Sequence, residues 1–259
     1  MKGSLLLASA MVWFPLVPRA QIPLPLEVGE TLHYESRINL IPAGSARLEV
    51  SALEALDGDS VYHIVFSVQT NPVLDRIFKI RDRIETWIDA KGLFTRKFAK
   101  KIREGNYRHQ FSATINYEDS VVTTARDSFS IDRELRDPYS LFYYLRTLPL
   151  NVGDLLGFTT FDNGEFIDFQ VTVHHRESVR VPAGVFRCLV IEPFKEGASL
   201  LKNEGDMTIW LSDDDQRLPV KIVSRAKFGS MVFKLKSLSR RDPEPVLRGA
   251  TPPGSGHYR

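Results

Sequence analysis

The chain has 259 residues, 34 Lys+Arg against 32 Asp+Glu, 43% apolar and 10% aromatic residues, and one cysteine. The aromatic content can build a core, which excludes wholesale disorder, and a lone cysteine excludes a disulfide framework. A net charge of +2 is too small to mark a nucleic-acid binder.

Residues 1–20 have the pattern of a signal peptide. Lys2 is the only charge before Arg19, and Leu5 to Val17 is an apolar run of 13 residues broken only by Ser9 and Pro15. A bilayer span needs about 20 residues, so this run is too short to be one. Pro18 and Arg19 fit the small-residue rule for cleavage after Ala20 badly, and an uncleaved anchor is the rival reading. Cleavage would remove Lys2 and Arg19 and leave 32 basic against 32 acidic residues. No later stretch is long and apolar enough to span a membrane, so no transmembrane span is expected in the mature chain.

Residues 21–240 read as a single β-rich domain. Leu32, Tyr34, Ser36 and Ile38 alternate with Thr31, His33, Glu35 and Arg37, the period of a strand. Tyr62 to Val68 repeats that pattern. Phe78, Ile80, Ile84 and Ile88 share a parity, with Asp82 and Thr86 intruding. Phe94 to Arg103 and Tyr107 to Tyr117 follow. Asp137 then offers a helix N-cap and Pro138 a first helical residue, and Leu141, Tyr144, Leu145 and Leu148 form an apolar stripe before Pro149. A helical connector is predicted over 137–148, either packing that stripe on a sheet or plugging the interior. Strands resume at 166–173, 185–191, 207–211, 218–223 and 231–235. Asp57-Gly58, Ala90-Lys91-Gly92, Asn163-Gly164, Pro182-Ala183-Gly184 and Phe228-Gly229 supply turns. About twelve strands joined by short loops imply antiparallel meanders. After Arg240 the Pro- and Gly-rich residues 241–259 read as a disordered tail.

The domain shows signs of two related halves, about 26–116 and 150–240. Val28-Gly29-Glu30 recurs as Val152-Gly153-Asp154, Val61-Tyr62 as Val185-Phe186, and Lys97 as Lys221. Trp87 recurs as Trp210, one residue out of step. Duplication and chance alignment of β-rich segments are the two readings. The expected fold is mainly β: a large curved antiparallel sheet or incomplete β-barrel from two related halves, with one short helix between them.

Four motifs carry a family resemblance: Val28-Gly29-Glu30, Asp137-Pro138-Tyr139-Ser140-Leu141-Phe142-Tyr143-Tyr144-Leu145-Arg146, Val181-Pro182-Ala183-Gly184-Val185-Phe186-Arg187-Cys188, and Ile209-Trp210-Leu211-Ser212-Asp213-Asp214 with Arg217 and Pro219-Val220. In this order the chain resembles the bacterial "domain of unknown function 3108" family over about residues 26–240. The resemblance implies an exported protein of a Gram-negative cell envelope, periplasmic or outer-membrane-associated. It transfers no activity and no catalytic residue.

No catalytic motif is present: no Gly-x-Ser-x-Gly elbow, no His-Glu-x-x-His and no phosphate loop. His174 and His175 are adjacent on a strand and point to opposite faces. Cys188 shares parity with Phe186 and Val190, which suggests a buried, inert thiol. Asp213 to Asp215 suit a turn better than a calcium loop. No metal, cofactor or catalytic residue is therefore assigned, and a non-enzymatic protein is expected.

The best functional lead is charge placement. Residues 26–75 hold 2 basic and 8 acidic residues, whereas residues 76–116 hold 11 basic and 4 acidic. Phe94, Arg96, Phe98, Lys100 and Ile102 share one strand face, where apolar and basic residues alternate. Such a face suits a lipid or other amphiphile with an anionic head; side chains snorkelling at a rim, or pairing with the acidic segment, are the plainer reading. Phe94, Arg96, Phe98 and Lys100, with Tyr143 and Tyr144 of the helix, form the candidate ligand-binding set. The expected function is an envelope-binding or envelope-assembly module, with a lipid or an envelope protein as partner. The alternatives are a hydrolase with an unrecognised site and a purely structural interaction module.

Overall fold

The computed structural model of the chain describes residues 26–194, 206–226 and 229–240. The predicted signal segment 1–20, the tail 241–259 and Phe228 of one predicted turn lie outside them. Among the described residues, strands β1 (Thr31–Ile38), β2 (Ile41–Leu56), β3 (Asp59–Thr70), β4 (Arg81–Asp89), β5 (Thr95–Glu104), β6 (Tyr107–Asn116), β7 (Val121–Thr124) and β8 (Ser128–Ser130) precede helix α1 (Pro138–Arg146). Strands β9 (Leu155–Asp162), β10 (Glu165–Val181), β11 (Gly184–Phe194), β12 (Met207–Ser212), β13 (Pro219–Ala226) and β14 (Gly229–Ser239) follow it. All 14 form one curved sheet in the order β8-β7-β6-β5-β4-β3-β2-β1-β14-β13-β12-β11-β10-β9. It is two antiparallel meanders joined where β1 pairs β14. The sheet does not close, because its edge strands β8 and β9 do not pair with each other.

Strands β2, β9, β7 and β8 are not delineated by the sequence pattern; the last two, of four and three residues, are too short to show a period. Phe78 is not part of β4. It lies in the loop that follows a 3-10 turn at Leu74–Arg76 and is 47% exposed. Bulges curve the sheet. They lie at Ser51 in β2, Arg96 in β5, His174 in β10 and Val220 in β13, with further register shifts where β1 meets β2 and β14.

The bulge positions match between the halves, and other features match with them. Gly29 and Gly153 both adopt left-handed backbone, φ 92° and 93°, which glycine permits without strain. Each donates its N–H to a carbonyl across the turn, of Val50 and Val173 respectively, at 2.8 Å. Trp87 donates its indole N–H to Glu54 and lies under Lys97 Nζ; Trp210 donates to Glu177 and lies under Lys221 Nζ.

Helix α1 is gripped by both meanders. Leu141 and Leu145 pack with Val171, Val173, Leu189 and Leu211. Tyr143 joins Leu32, Tyr34, Leu48, Val50 and Ile64 of the first half. The stripe read from the sequence is thus one of two buried sides. Tyr143, outside that stripe, is 1% exposed. The N-cap Asp137 accepts from the backbone N–H of Tyr139 and Ser140, and from the hydroxyls of Thr86 at 2.6 Å and Thr95 at 2.7 Å. At the other end Arg146 forms a bidentate pair with Glu30, at 2.7 and 3.1 Å, and both side chains are 1% exposed. Arg146 also donates to the Gln216 carbonyl. The helix is therefore tied to β4, β5, the chain preceding β1 and the turn between β12 and β13.

Candidate functional site

Strand register sets one row of side chains on the concave face: Leu32, Leu48, Phe66, Ile84, Lys100 and Phe111, each opposite the next. Leu32 and Leu48 are buried, whereas Phe66, Ile84, Lys100 and Phe111 are half-buried. The face therefore opens as it approaches the unclosed seam. Tyr139 of α1 packs on Phe66 with ring centroids 4.9 Å apart, and Phe66 meets Phe233 at 6.4 Å.

The seam is bridged by side chains. Lys100 Nζ contacts both Asp162 oxygens, at 2.5 and 2.7 Å, and lies 5.4 Å from the Phe111 ring centroid. His109 and Asn163 are hydrogen-bonded at 2.9 Å. Phe161 of β9 meets Phe111 and Phe129, and the Arg136 N–H donates to the Thr159 carbonyl. Opposite-charge and aromatic contacts replace a backbone ladder here.

Nearby, Asp82 accepts the backbone N–H of Arg103 at 2.8 Å, with the Glu104 carboxyl next to it. Burial raises both carboxyls above their ordinary values, and Glu104 is raised further by the adjacent Asp82 charge. Burial likewise pushes the Tyr139 phenol well above its usual range, with Asp137, Asp82 and Asp162 adding to the shift. Tyr139 was not singled out from the sequence, although it lies one helical turn before Tyr143 and so shares its side of the helix.

The six candidate residues do not assemble into one site. Phe98 and Lys100 lie together on the concave face, where Phe98 approaches Phe111. Arg96 is itself the bulged residue, left unpaired between Lys97, opposite Trp87, and Thr95, opposite Ile88. Thr95, rather than Arg96, reaches Asp137 inside the sheet, while Arg96 pairs with Asp59 at 2.5 Å. Phe94 packs edge-on against Tyr117. Tyr143 is enclosed beside Arg146, and its hydroxyl has no hydrogen-bond partner among the described residues. Tyr144 lies under the Arg136 guanidinium, 3.9 Å from ring centroid to Cζ.

The charge asymmetry is partly consumed by pairing, since Asp59 with Arg96 and Asp75 with Arg81 link the acidic to the basic segment. A cleft of about 470 Å³ is lined by Arg133, Arg136, Phe158, Asp168 and Phe169, and one of about 520 Å³ by His33, Arg47, Gln69 and Lys236. Neither is lined by any of the six. Cys188 is fully buried, and burial pushes its thiol up to about 12. His63 pairs with Glu85, and His174 with Glu192, at separate places on the sheet.

These features define a barrel-like β protein: one open antiparallel sheet curved about a short, tethered helix. The chain belongs to DUF3108, a family of proteins of unknown function, whose sequence profile matches residues 31–236. Its fold is similar to that of a β-barrel-like protein of the domain of unknown function DUF1849 from Brucella abortus. The TM-score is 0.59 at 15% identity, covering 83% of this chain and 98% of that one. A candidate lipoprotein from Parabacteroides distasonis overlaps more loosely, with a TM-score of 0.39, 12% identity, and coverage of 83% of this chain and 97% of that one. No curated protein matches the chain.

Proposed function

We propose that the protein is an exported, non-catalytic binding module of the cell envelope, which holds the apolar part of an amphiphile on the concave face beside the seam. The observation that carries this reading is the row from Leu32 to Phe111, fully buried at the centre of the sheet and half-buried near the seam. Half-buried aromatic side chains on a concave face are what an acyl chain or fused ring would cover. The N-terminal apolar run after Lys2 supports export. The pairing of Lys100 with Asp162 and of Arg96 with Asp59 argues against these two cations as an anionic head-group site, so the reading is restricted to the apolar part. Cys188, buried and with a raised pKa, is a poor nucleophile, which supports a non-catalytic role. The matched glycines, bulges and Trp–Glu–Lys groups support an origin by internal duplication.

Native mass spectrometry of protein purified from the periplasm tests the proposal. A co-purifying lipid, lost in a Phe66→Asp variant that still folds, is expected. A clean apo mass together with no lipid transfer in vitro overturns it.

A further inference from the structure

The two ends of the sheet differ in a way the binding proposal does not use. At one end lie the β1–β2 turn, the loop between β3 and β4, and the β5–β6 turn. Leu40 is 84% exposed there, Ile41 62%, Val73 67%, Ile77 79%, Phe78 47% and Tyr107 57%. The three segments touch one another. Asn71 hydrogen-bonds the carbonyls of Pro42 and Ala43, and Gly105 donates its N–H to the Lys79 carbonyl. The Phe78 ring lies against Gly105. The exposed apolar side chains thus form one continuous rim on adjacent loop tips. Isolated exposed apolar residues are ordinary, but a contiguous set marks an interaction surface.

The charges of that rim are sorted. Arg76, Lys79, Arg103 and Arg108 are exposed, and among the described residues none forms an ion pair. Arg108 is held outward by hydrogen bonds to the Gly105 and Tyr107 carbonyls. Of the carboxylates in the same segments, Asp75 is paired with Arg81 and Glu104 is half-buried. The turns at the opposite end carry both signs, Asp57, Asp59, Asp89, Glu118, Asp119 and Asp213 with Lys91 and Arg217, and Asp59 and Asp213 are paired with arginines. The three touching tips are therefore apolar and carry unpaired cations, whereas the opposite turns carry both signs.

We infer that this rim docks on an anionic lipid bilayer surface, with Leu40, Ile41, Val73, Ile77, Phe78 and Tyr107 entering the interface and Arg76, Lys79, Arg103 and Arg108 facing lipid head groups. Projecting tips at one end suit a plane rather than a groove, and apolar residues ringed by cations match the interfacial layer of an anionic membrane. The unpaired cations of the rim are drawn to the same surface, which fixes the orientation. Glu104, Asp82 and the Lys100–Asp162 pair lie toward the docked end. The inference stands on the rim alone and does not depend on occupancy of the concave face.

Vesicle co-sedimentation of the protein purified from the exported fraction tests this. The vesicles are equal parts phosphatidylglycerol and phosphatidylcholine, with pure phosphatidylcholine as the comparison. Binding to the mixed vesicles is expected, weakening as salt rises. Leu40→Ser/Ile77→Ser should lower the partition constant at least about tenfold, as removal of two interfacial apolar side chains requires. Arg76→Glu/Lys79→Glu should abolish the preference for the anionic vesicles. Leu53→Ser at the opposite end should change nothing. All four carry the same N-terminus, so any contribution from it cancels, and each should retain the parent's thermal midpoint because its altered side chains are exposed. The inference is overturned if the parent does not bind, if the rim variants bind like the parent, or if pure phosphatidylcholine binds equally well. A clean apo mass of the parent and no lipid transfer, with vesicle binding intact, would overturn the concave-face proposal and leave this one standing.

Discussion

Arg146→Met tests whether the helix is held by its buried ion pair. In the parent, Glu30 and Arg146 meet at 2.7 and 3.1 Å, each 1% exposed, and the arginine also donates to Gln216. Methionine keeps much of the volume but leaves the Glu30 carboxylate buried without its main partner; the next cation, Arg240, stands 3.8 Å away and is 39% exposed. Breaking one side of such a pair costs about 3–5 kcal/mol, which for a domain of this size lowers the melting midpoint by about 10 °C. The double variant Glu30→Leu/Arg146→Met removes both charges and should recover to within about 2 kcal/mol of the parent, because replacing a whole buried pair with apolar groups is far cheaper than orphaning one charge. Urea unfolding followed by tryptophan fluorescence measures both. A loss below about 1 kcal/mol in the single variant, or a double variant whose loss equals the sum of the two singles, would refute the reasoning.

Three further expectations follow from the same contacts. Asp137→Ala removes a helix cap and the acceptor for two buried hydroxyls, at a cost of about 3 kcal/mol; Asp137→Asn, which keeps an acceptor, should lose clearly less in the same unfolding assay. Cys188 should resist alkylation at pH 8 until the protein is unfolded, and stoichiometric labelling of the native state would contradict its burial. Its thiol sits at about 12 in the folded protein against 9.0 when free, so its contribution to stability is complete below pH 9.0 and declines as pH rises toward about 12; Cys188→Ala should lose that part of the pH dependence. Lys100→Met leaves Asp162 without its partner across the seam and should cost about 1–2 kcal/mol. Hydrogen exchange should then speed up in β9 while β2 and β3 are unchanged, and a uniform change across the sheet would count against a bridged seam.

The strands were legible because alternation and turn residues are local. Asp57-Gly58 and Asn163-Gly164 both take left-handed backbone at hairpin tips, as such pairs do. The helix start was legible for the same reason, since Asp137 and Pro138 act within one turn. What alternation could not supply was the bulge at Arg96, which breaks the parity between Arg96 and Phe98 and divides the candidate set. Ion pairing across the fold was also hidden: Glu30 and Arg146 are 116 residues apart, and Lys100 and Asp162 are 62 apart. The plainer reading of the basic face, pairing with the acidic segment, describes Arg96 and Asp59, whereas the partner of Lys100 comes from the second meander.

The ladder between β1 and β14 joins the first strand of the sheet to the last, Thr31 opposite Ser239. A chain emerging N-terminus first forms β1 early and cannot pair that edge until β14 has appeared. During that interval β1 offers an unpaired row of backbone groups, a template for wrong partners. Contacts of such long sequence separation also form slowly. Order of emergence thus becomes a property of the fold: the sheet is completed only after the whole domain has left the machinery that delivers it. A truncation that removes β14 takes away the strand that pairs β1 in the middle of the sheet.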